Sequence, residues 1–350
     1  MNSTTAHEEL RSQVLGFVIR GAPLDVVLDV LDRRAAGPLD EEQRQFVSRE
    51  FARMFAIGHE KDDYLRSAQE KALWLLSVYR QLAKERSRLA IDTVDDIDPT
   101  SFFERYYFEN RPLKIRGFAA RWQDFSGWSV PRLLERFGDA DVEIMFGRNA
   151  HTDYDEDVDK MRRTLPFREF VAMLNDAEGA QTNDFYLAAR NLALLRTFGP
   201  LVAELQPLPG FLTQHEASYL NIWIGPAGTV TKLHHDLTNV LFMQLFGSKR
   251  ITFVAPYDTP LVYNKDGVIA QVNAEKPDYK KHPLFAGAST ASVTVDPGDA
   301  IFLPVGWWHQ VRSLSASVSL TFINFTRPNF FQMDDIPHFR TAVVKGKAQV

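Results

Sequence analysis

Cysteine is missing from all 350 residues. That absence excludes disulfide frameworks, thiolate zinc sites, iron–sulfur clusters and cysteine nucleophiles together, so any bound metal must be held by His, Asp or Glu. Long apolar runs are missing too. No segment approaches the roughly 18 uninterrupted apolar residues of a membrane span, and the start, Met1-Asn2-Ser3-Thr4-Thr5-Ala6-His7-Glu8-Glu9-Leu10, has neither the basic opening nor the apolar stretch of a secretion signal. No membrane partner is expected, and the expected location is cytoplasmic. A basic excess is lacking as well: the formal net charge is −5, which argues against broad phosphate-backbone contact and so against a nucleic-acid partner. Internal repeats and long low-complexity tracts are also absent.

What is present is enough apolar material, 45% hydrophobic and 12% aromatic residues, to bury a substantial core. Between about 6 and 92 apolar residues recur at three- and four-residue spacing: Leu10, Val14, Phe17 and Val18, then Val26, Val27, Leu28 and Leu31. Gly37-Pro38 interrupts this run. A helix is expected over 40–57 (Phe46, Phe51, Met54, Phe55), ending near Gly58, and another over 60–90 (Leu73, Leu75, Leu76, Tyr79, Leu82). The stripe at Leu73, Leu76, Tyr79 and Leu82 reads as intramolecular core. The acidic, proline-closed segment 92–99 then marks a boundary, giving an α-helical N-terminal domain over 1–94 and a second domain over 95–350. From about 112 onward, short β-branched and apolar runs alternate with Gly, Pro and Asp turns, the texture of an antiparallel sandwich or barrel. Overall the chain reads as mainly β with helical additions.

Chemistry concentrates in Thr231-Lys232-Leu233-His234-His235-Asp236 and, far downstream, in Pro304-Val305-Gly306-Trp307-Trp308-His309. Strand side chains alternate faces, so His234 and Asp236 share one face while His235 looks away. Two imidazoles and a carboxylate on one side of an octahedron are a ligand set for ferrous iron with positions left open. An isolated His-x-Asp occurs by chance in many chains, and a single His309 beside two tryptophans reads as a core residue. The surroundings change that. The run Leu237–Leu245, Gly247, and Lys249–Val254 reads as a hairpin carrying both ligands near its start, and His309 follows the turn Asp296-Pro297-Gly298-Asp299, a strand and a second turn.

Residues 99–326 resemble the JmjC and cupin-like oxygenase family, the group that includes the asparaginyl hydroxylase acting on hypoxia-inducible factor. The resemblance rests on Phe102-Phe103-Glu104-Arg105-Tyr106 with Asn110-Arg111-Pro112-Leu113, Trp122, Trp128 and Leu134–Gly138; on Ile224–Thr231 through His234 to Pro256; and on Pro297-Gly298-Asp299 through His309. It implies a double-stranded β-helix (jelly roll), iron(II) held by His234, Asp236 and His309, 2-oxoglutarate as co-substrate, and dioxygen. It also implies that Lys249 pairs with the far carboxylate of 2-oxoglutarate, that Thr231 and Tyr186 donate to it, and that Asn324 lies near the metal-proximal carboxylate. Each has a plainer reading: Lys249 as a strand-edge charge, Thr231 as a β-former, Tyr186 as a core aromatic, Asn324 as a turn residue. Trp223 and Trp308 are expected either to wall the pocket or to be core.

Two positions depart from the family pattern. Val240 stands where an asparagine often lies six residues after the first metal histidine, with Asn239 beside it facing the other way; and Ala188 stands where the asparaginyl hydroxylase has a substrate-gripping glutamine. The resemblance implies hydroxylation of a protein or peptide side chain with conversion of 2-oxoglutarate to succinate. The alternatives are tailoring of a small metabolite, lysine demethylation, and a non-catalytic cupin binding module. The acidic segment 153–159 reads either as an attractor for a basic peptide or as a solvated loop. The helical domain has three roles open to it: homodimerisation, substrate recognition, or bracing the barrel.

Overall fold

The computed structural model describes residues 24–34, 38–58, 61–86, 89–155, 158–188, 193–264 and 267–331, together with single positions between 7 and 17. The chain divides into two compact units, Met1–Leu82 and Ala83–Val350. The division falls ahead of the acidic segment, because Asp92–Val94 is itself a strand of the second unit (β1), paired in parallel with Leu113–Ile115 (β2).

In the first unit, α1 (Leu24–Arg34), α2 (Glu41–Gly58) and α3 (Lys61–Arg86) follow the three- and four-residue spacing. Asp40 and Gln43 cap α2 reciprocally: the Gln43 amide donates to Asp40 Oδ1 at 2.8 Å and the Asp40 amide to Gln43 Oε1 at 3.1 Å. A small core joins Val14, Phe17, Val27, Leu31, Leu39, Val47 and Phe51. Val18, Gly37 and the side chains of Met54 and Phe55 lie outside the described residues. The stripe on α3 does not form core. Leu73, Tyr79 and Leu82 are exposed and Leu76 is half-buried, since the unbroken run Ala72–Leu76 points to every side of a helix and no single face can bury it. Among the described residues no helix is long and apolar enough to cross a membrane.

The second unit is built on two sheets. One has the order β1-β2-β11-β8-β13-β6 and the other β10-β9-β12-β7, formed by β6 (Leu220–Gly225), β7 (Val230–His234), β8 (Val240–Phe246), β9 (Lys249–Val254), β10 (Thr290–Val295), β11 (Ala300–Leu303), β12 (Trp308–Ser313) and β13 (Ser317–Phe322). A third sheet, β4-β3-β5, adds β3 (Asp141–Phe146), β4 (Arg162–Pro166) and β5 (Phe185–Tyr186). From β6 to β9 the chain switches sheet at every turn, and it does so again from β10 to β13. This is the jelly-roll architecture expected from the sequence. Apolar side chains of both sheets meet between them: Val240, Phe242, Ile301 and Leu303 from one, Ile251, Phe253, Val295 and Val311 from the other.

The segment expected to be a hairpin is therefore a corner. β8 pairs with β11 and β13, whereas β9 pairs with β10 and β12. Gly247 makes the corner at φ +66°, and a Cβ there would lie 2.0 Å from the carbonyl oxygen of Ala316. Only glycine fits, on both conformational and steric grounds. Gly247→Ala is expected to cost roughly 2 kcal/mol or more, read as a lower urea midpoint with unchanged slope; an unchanged midpoint would contradict this account of the corner.

Candidate metal centre

His234 is the last residue of β7, and His309 is the second of β12. The two strands are antiparallel neighbours, and their register places His309 directly opposite His234, with ring centroids 4.3 Å apart. Asp236 lies just past the end of β7 rather than on it. Its carbonyl accepts from Gly306 N at 3.3 Å, which holds it against the turn that precedes His309. One ligand atom from each of the three residues lies within 4.8 Å of the others, and His309 Nε2 is 3.5 Å from Asp236 Oδ2. His235 faces away, edge-on to Trp308 at 4.8 Å.

Both histidines have the same internal bond. His234 Nδ1 sits 2.8 Å from the carbonyl oxygen of Lys232, and His309 Nδ1 2.9 Å from that of Trp307. A carbonyl can only accept, so Nδ1 carries the proton and Nε2 keeps its lone pair for a metal. Burial, helped by the neighbouring His234, pushes His309 down to about 4, so at neutral pH the ring is neutral, the form that a metal needs.

Beside this cluster opens a cavity of 330 Å³, lined among others by Thr231, Tyr186, Trp223, Val240 and Lys249. Lys249 opens β9 and is 1% exposed. Its ammonium donates to the Tyr186 hydroxyl at 3.4 Å, and burial depresses it to about 7. Among the described residues no carboxylate pairs with it, and a buried unpaired ammonium is costly, so this part of the cavity suits an anion. Burial raises Tyr186 well above the usual phenol range, partly offset by the Arg148 charge and a hydrogen bond with Thr231; the phenol is a donor there. Gly225 permits this placement, since a Cβ would meet the Tyr186 ring at 2.7 Å.

Two expectations change. Trp308 is not a pocket wall: it is 1% exposed, its Nε1 donates to Thr259 Oγ1 at 2.9 Å, and it packs with Leu233, Val262 and Phe285. Asn324 does not line the cavity; Thr321 and Ile323 do, and the Asn324 amide donates instead to the carbonyls of Thr213 and Gln214 at 3.0 and 3.2 Å. Asn239 is structural, accepting from Val305 N at 2.8 Å and so bracing the turn before His309. Trp223 does line the cavity, as do Val240 and Ala188.

Sequence reasoning missed Asn221 and Thr321, cross-strand partners that both line the cavity. Asn221 could have been found by alternation, two residues before Trp223 on an otherwise apolar strand. Val268 and Ile269, also lining residues, had no such signal: they belong to the excursion between β9 and β10 and reach the site by bonding to β7, with Ala270 N donating to Leu233 O and His235 N to Val268 O.

A jelly roll with a His-Asp-His cluster at one end of its interior and a buried lysine in the same cavity defines the class of cupin-like oxygenases. Residues 99–329 match the family described as cupin-like domain, and the chain belongs to it. Oxygenases of this JmjC-related kind use iron(II), 2-oxoglutarate and dioxygen, and the donor set and uncompensated Lys249 fit the first two. Among similar proteins, "Lysine-specific demethylase 8" of Xenopus tropicalis is 30% identical over 63% of this chain and 49% of its own length. "Jumonji C domain-containing protein 5" of Drosophila melanogaster is 29% identical over 71% and 63%. "tRNA wybutosine-synthesizing protein 5" of Gallus gallus is 24% identical over 68% and 77%. The chain thus spans from about half to about three quarters of these relatives.

A carboxylate bound beside Lys249 favours its charged form, whereas the free site holds it near neutrality at about 7. At pH 8, between that value and the ordinary lysine range, binding of 2-oxoglutarate in the presence of Mn(II) should take up about one proton, and affinity should fall as pH rises above 7. Calorimetry in buffers of different ionisation enthalpy reads this; buffer-independent heats would contradict it.

Proposed function

We propose that the protein is an iron(II)- and 2-oxoglutarate-dependent oxygenase that hydroxylates a protein or peptide side chain. The observation that carries this reading is one cavity lined both by the His234, Asp236 and His309 cluster and by the buried Lys249. With both cofactors and dioxygen bound, the metal supplies oxidising power, so that 2-oxoglutarate is converted to succinate and carbon dioxide while a substrate C–H bond is hydroxylated. The chain's own part is placement. Lys249, Thr231 and Tyr186 bind and orient the far carboxylate, and the Nδ1 bonds of His234 and His309 fix the ligand rings. Val158, Val268, Ile269 and Ala188 wall the cavity with apolar surface, which limits water around the reacting centre.

Cavity size supports a side chain as the target. At 330 Å³ it lies at the small end of ligand sites, and 2-oxoglutarate takes part of that space. What remains suits one inserted group better than a large metabolite. Three carboxylates of the acidic segment already face cations: Asp153 lies 3.6 Å from Lys232 Nζ, Asp155 3.1 Å from Arg148 and Asp159 2.8 Å from Arg162; Glu156 and Asp157 lie outside the described residues. A second reading, demethylation of a methylated lysine, is favoured by the names of four similar proteins.

Succinate formation should be measured with peptides, methyl-lysine peptides, transfer RNA and small metabolites, with mass spectrometry of each substrate. The expected result is iron-dependent turnover with one oxygen gained by a peptide, and none for His234→Ala. Loss of a methyl group would favour the second reading; an oxygen gained by RNA or a metabolite would replace the peptide as substrate. Wild type that binds iron(II) yet makes no succinate with any of them would overturn the oxygenase reading.

A further inference from the structure

Arg148 follows β3 and is fully buried, 0% exposed. A guanidinium so deep must be compensated, and two of the groups around it, Asp155 and Tyr186, line the cavity that holds Lys249. One terminal nitrogen donates to Asn183 Oδ1 at 2.8 Å; the other donates to the Val230 carbonyl at 2.8 Å and to Asp155 Oδ1 at 3.1 Å. The guanidinium lies between two phenol rings, 4.4 Å from the centroid of Tyr154 and 5.2 Å from that of Tyr186. Asp155 in turn accepts from Lys232 N through Oδ2 at 2.8 Å.

The two backbone groups gripped by this ion pair belong to the peptide units on either side of Thr231. Val230 C=O precedes Thr231 and Lys232 N–H follows it. β7 is an edge strand of its sheet, so these groups have no further strand to bond to; Arg148 and Asp155 take that place with side chains, and Asn183 Oδ1 accepts Val230 N at 2.8 Å. The other edge of β7 is fixed by β12, with Thr231 opposite Val311. Thr231 is thereby held from both sides, and the same guanidinium packs on the ring of Tyr186.

We propose that Arg148 and Asp155 form a buried clamp that positions Thr231 and Tyr186 for the far carboxylate of 2-oxoglutarate. They are positioning residues: neither is assigned a contact with the co-substrate. The inference rests on the co-substrate reading above and adds a way in which that pocket is kept in shape. Because Asp155 and Val158 also line the cavity, the clamp ties the loop on the substrate side to the strand that binds the co-substrate. Lysine cannot replace arginine here. It lacks the planar fork that reaches Asn183, Val230 and Asp155 at once and the flat face that stacks between two rings.

The test is equilibrium binding of 2-oxoglutarate to the full chain with Mn(II), which needs no turnover, together with Mn(II) affinity as a control on the metal ligands. Arg148→Met should raise the 2-oxoglutarate Kd roughly tenfold or more with Mn(II) affinity unchanged, and Arg148→Lys should weaken it too. In a double-mutant cycle with Thr231→Val the combined loss should be smaller than the product of the single losses, since one residue acts through the other. Should Arg148→Met fail to fold, Asp155→Asn, which keeps size and an acceptor for Lys232 N–H but removes the charge pair, carries the same expectation. Wild-type affinity in Arg148→Met or Arg148→Lys, or losses that simply multiply, would overturn the clamp. Wild type that binds Mn(II) but no 2-oxoglutarate would overturn the co-substrate reading first, and the clamp with it.

Discussion

The site depends on one piece of strand pairing, the antiparallel contact of β7 with β12. Their register puts His309 opposite His234 although the two are far apart in sequence. A slip of one residue would turn one imidazole to the opposite face and dismantle the cluster. Several features guard that register. Gly306 holds Asp236 through its carbonyl, Asn239 holds the turn before His309, and Asn329 clamps Asn239 through two bonds of 2.8 and 2.9 Å. His234, Asp236 and His309 are thus held by backbone pairing and amide clamps, as a preorganised metal site requires.

The same pairing organises the cavity. β7 supplies Thr231 and His234, β12 supplies His309 and Val311, and β9, the neighbour of β12, supplies Lys249. Strict alternation would turn Thr231 and His234, three residues apart, to opposite faces; the register shift between the His309 and Val311 pairings lets both reach the cavity. On the opposite sheet, β6, β8 and β13 present Asn221, Trp223, Val240, Phe242 and Thr321. The His-Asp-His cluster and the buried lysine therefore line one cavity, with Lys249 four residues along β9 from Phe253, the residue paired with His309.

Much of this was legible in the sequence, where local rules decide the outcome. Strand alternation correctly sent His235 away from His234, and the texture after residue 112 correctly announced a β architecture. The failures have a common cause in long-range packing. Asn324 and Trp308 sit next to cavity-facing residues, and only the actual strand ends reveal that they bond to the 213–214 backbone and to Thr259. The apparent hairpin at Gly247 is a corner because pairing partners are chosen across the whole sandwich, not by the turn alone. Arg148 gave no motif at all. Its meaning comes from loops that meet only in three dimensions, at the free edge of β7.

The central claim is that His234, Asp236 and His309 hold the metal while Lys249 holds the far end of 2-oxoglutarate. A crystal structure of the full chain grown with Mn(II) and 2-oxoglutarate tests this most directly. The account predicts Mn(II) bound by His234 Nε2, His309 Nε2 and an Asp236 carboxylate oxygen, with the distal carboxylate paired to Lys249 Nζ and within hydrogen-bond reach of Thr231 and Tyr186. Metal bound elsewhere, or 2-oxoglutarate bound with Lys249 left unpaired, would contradict it.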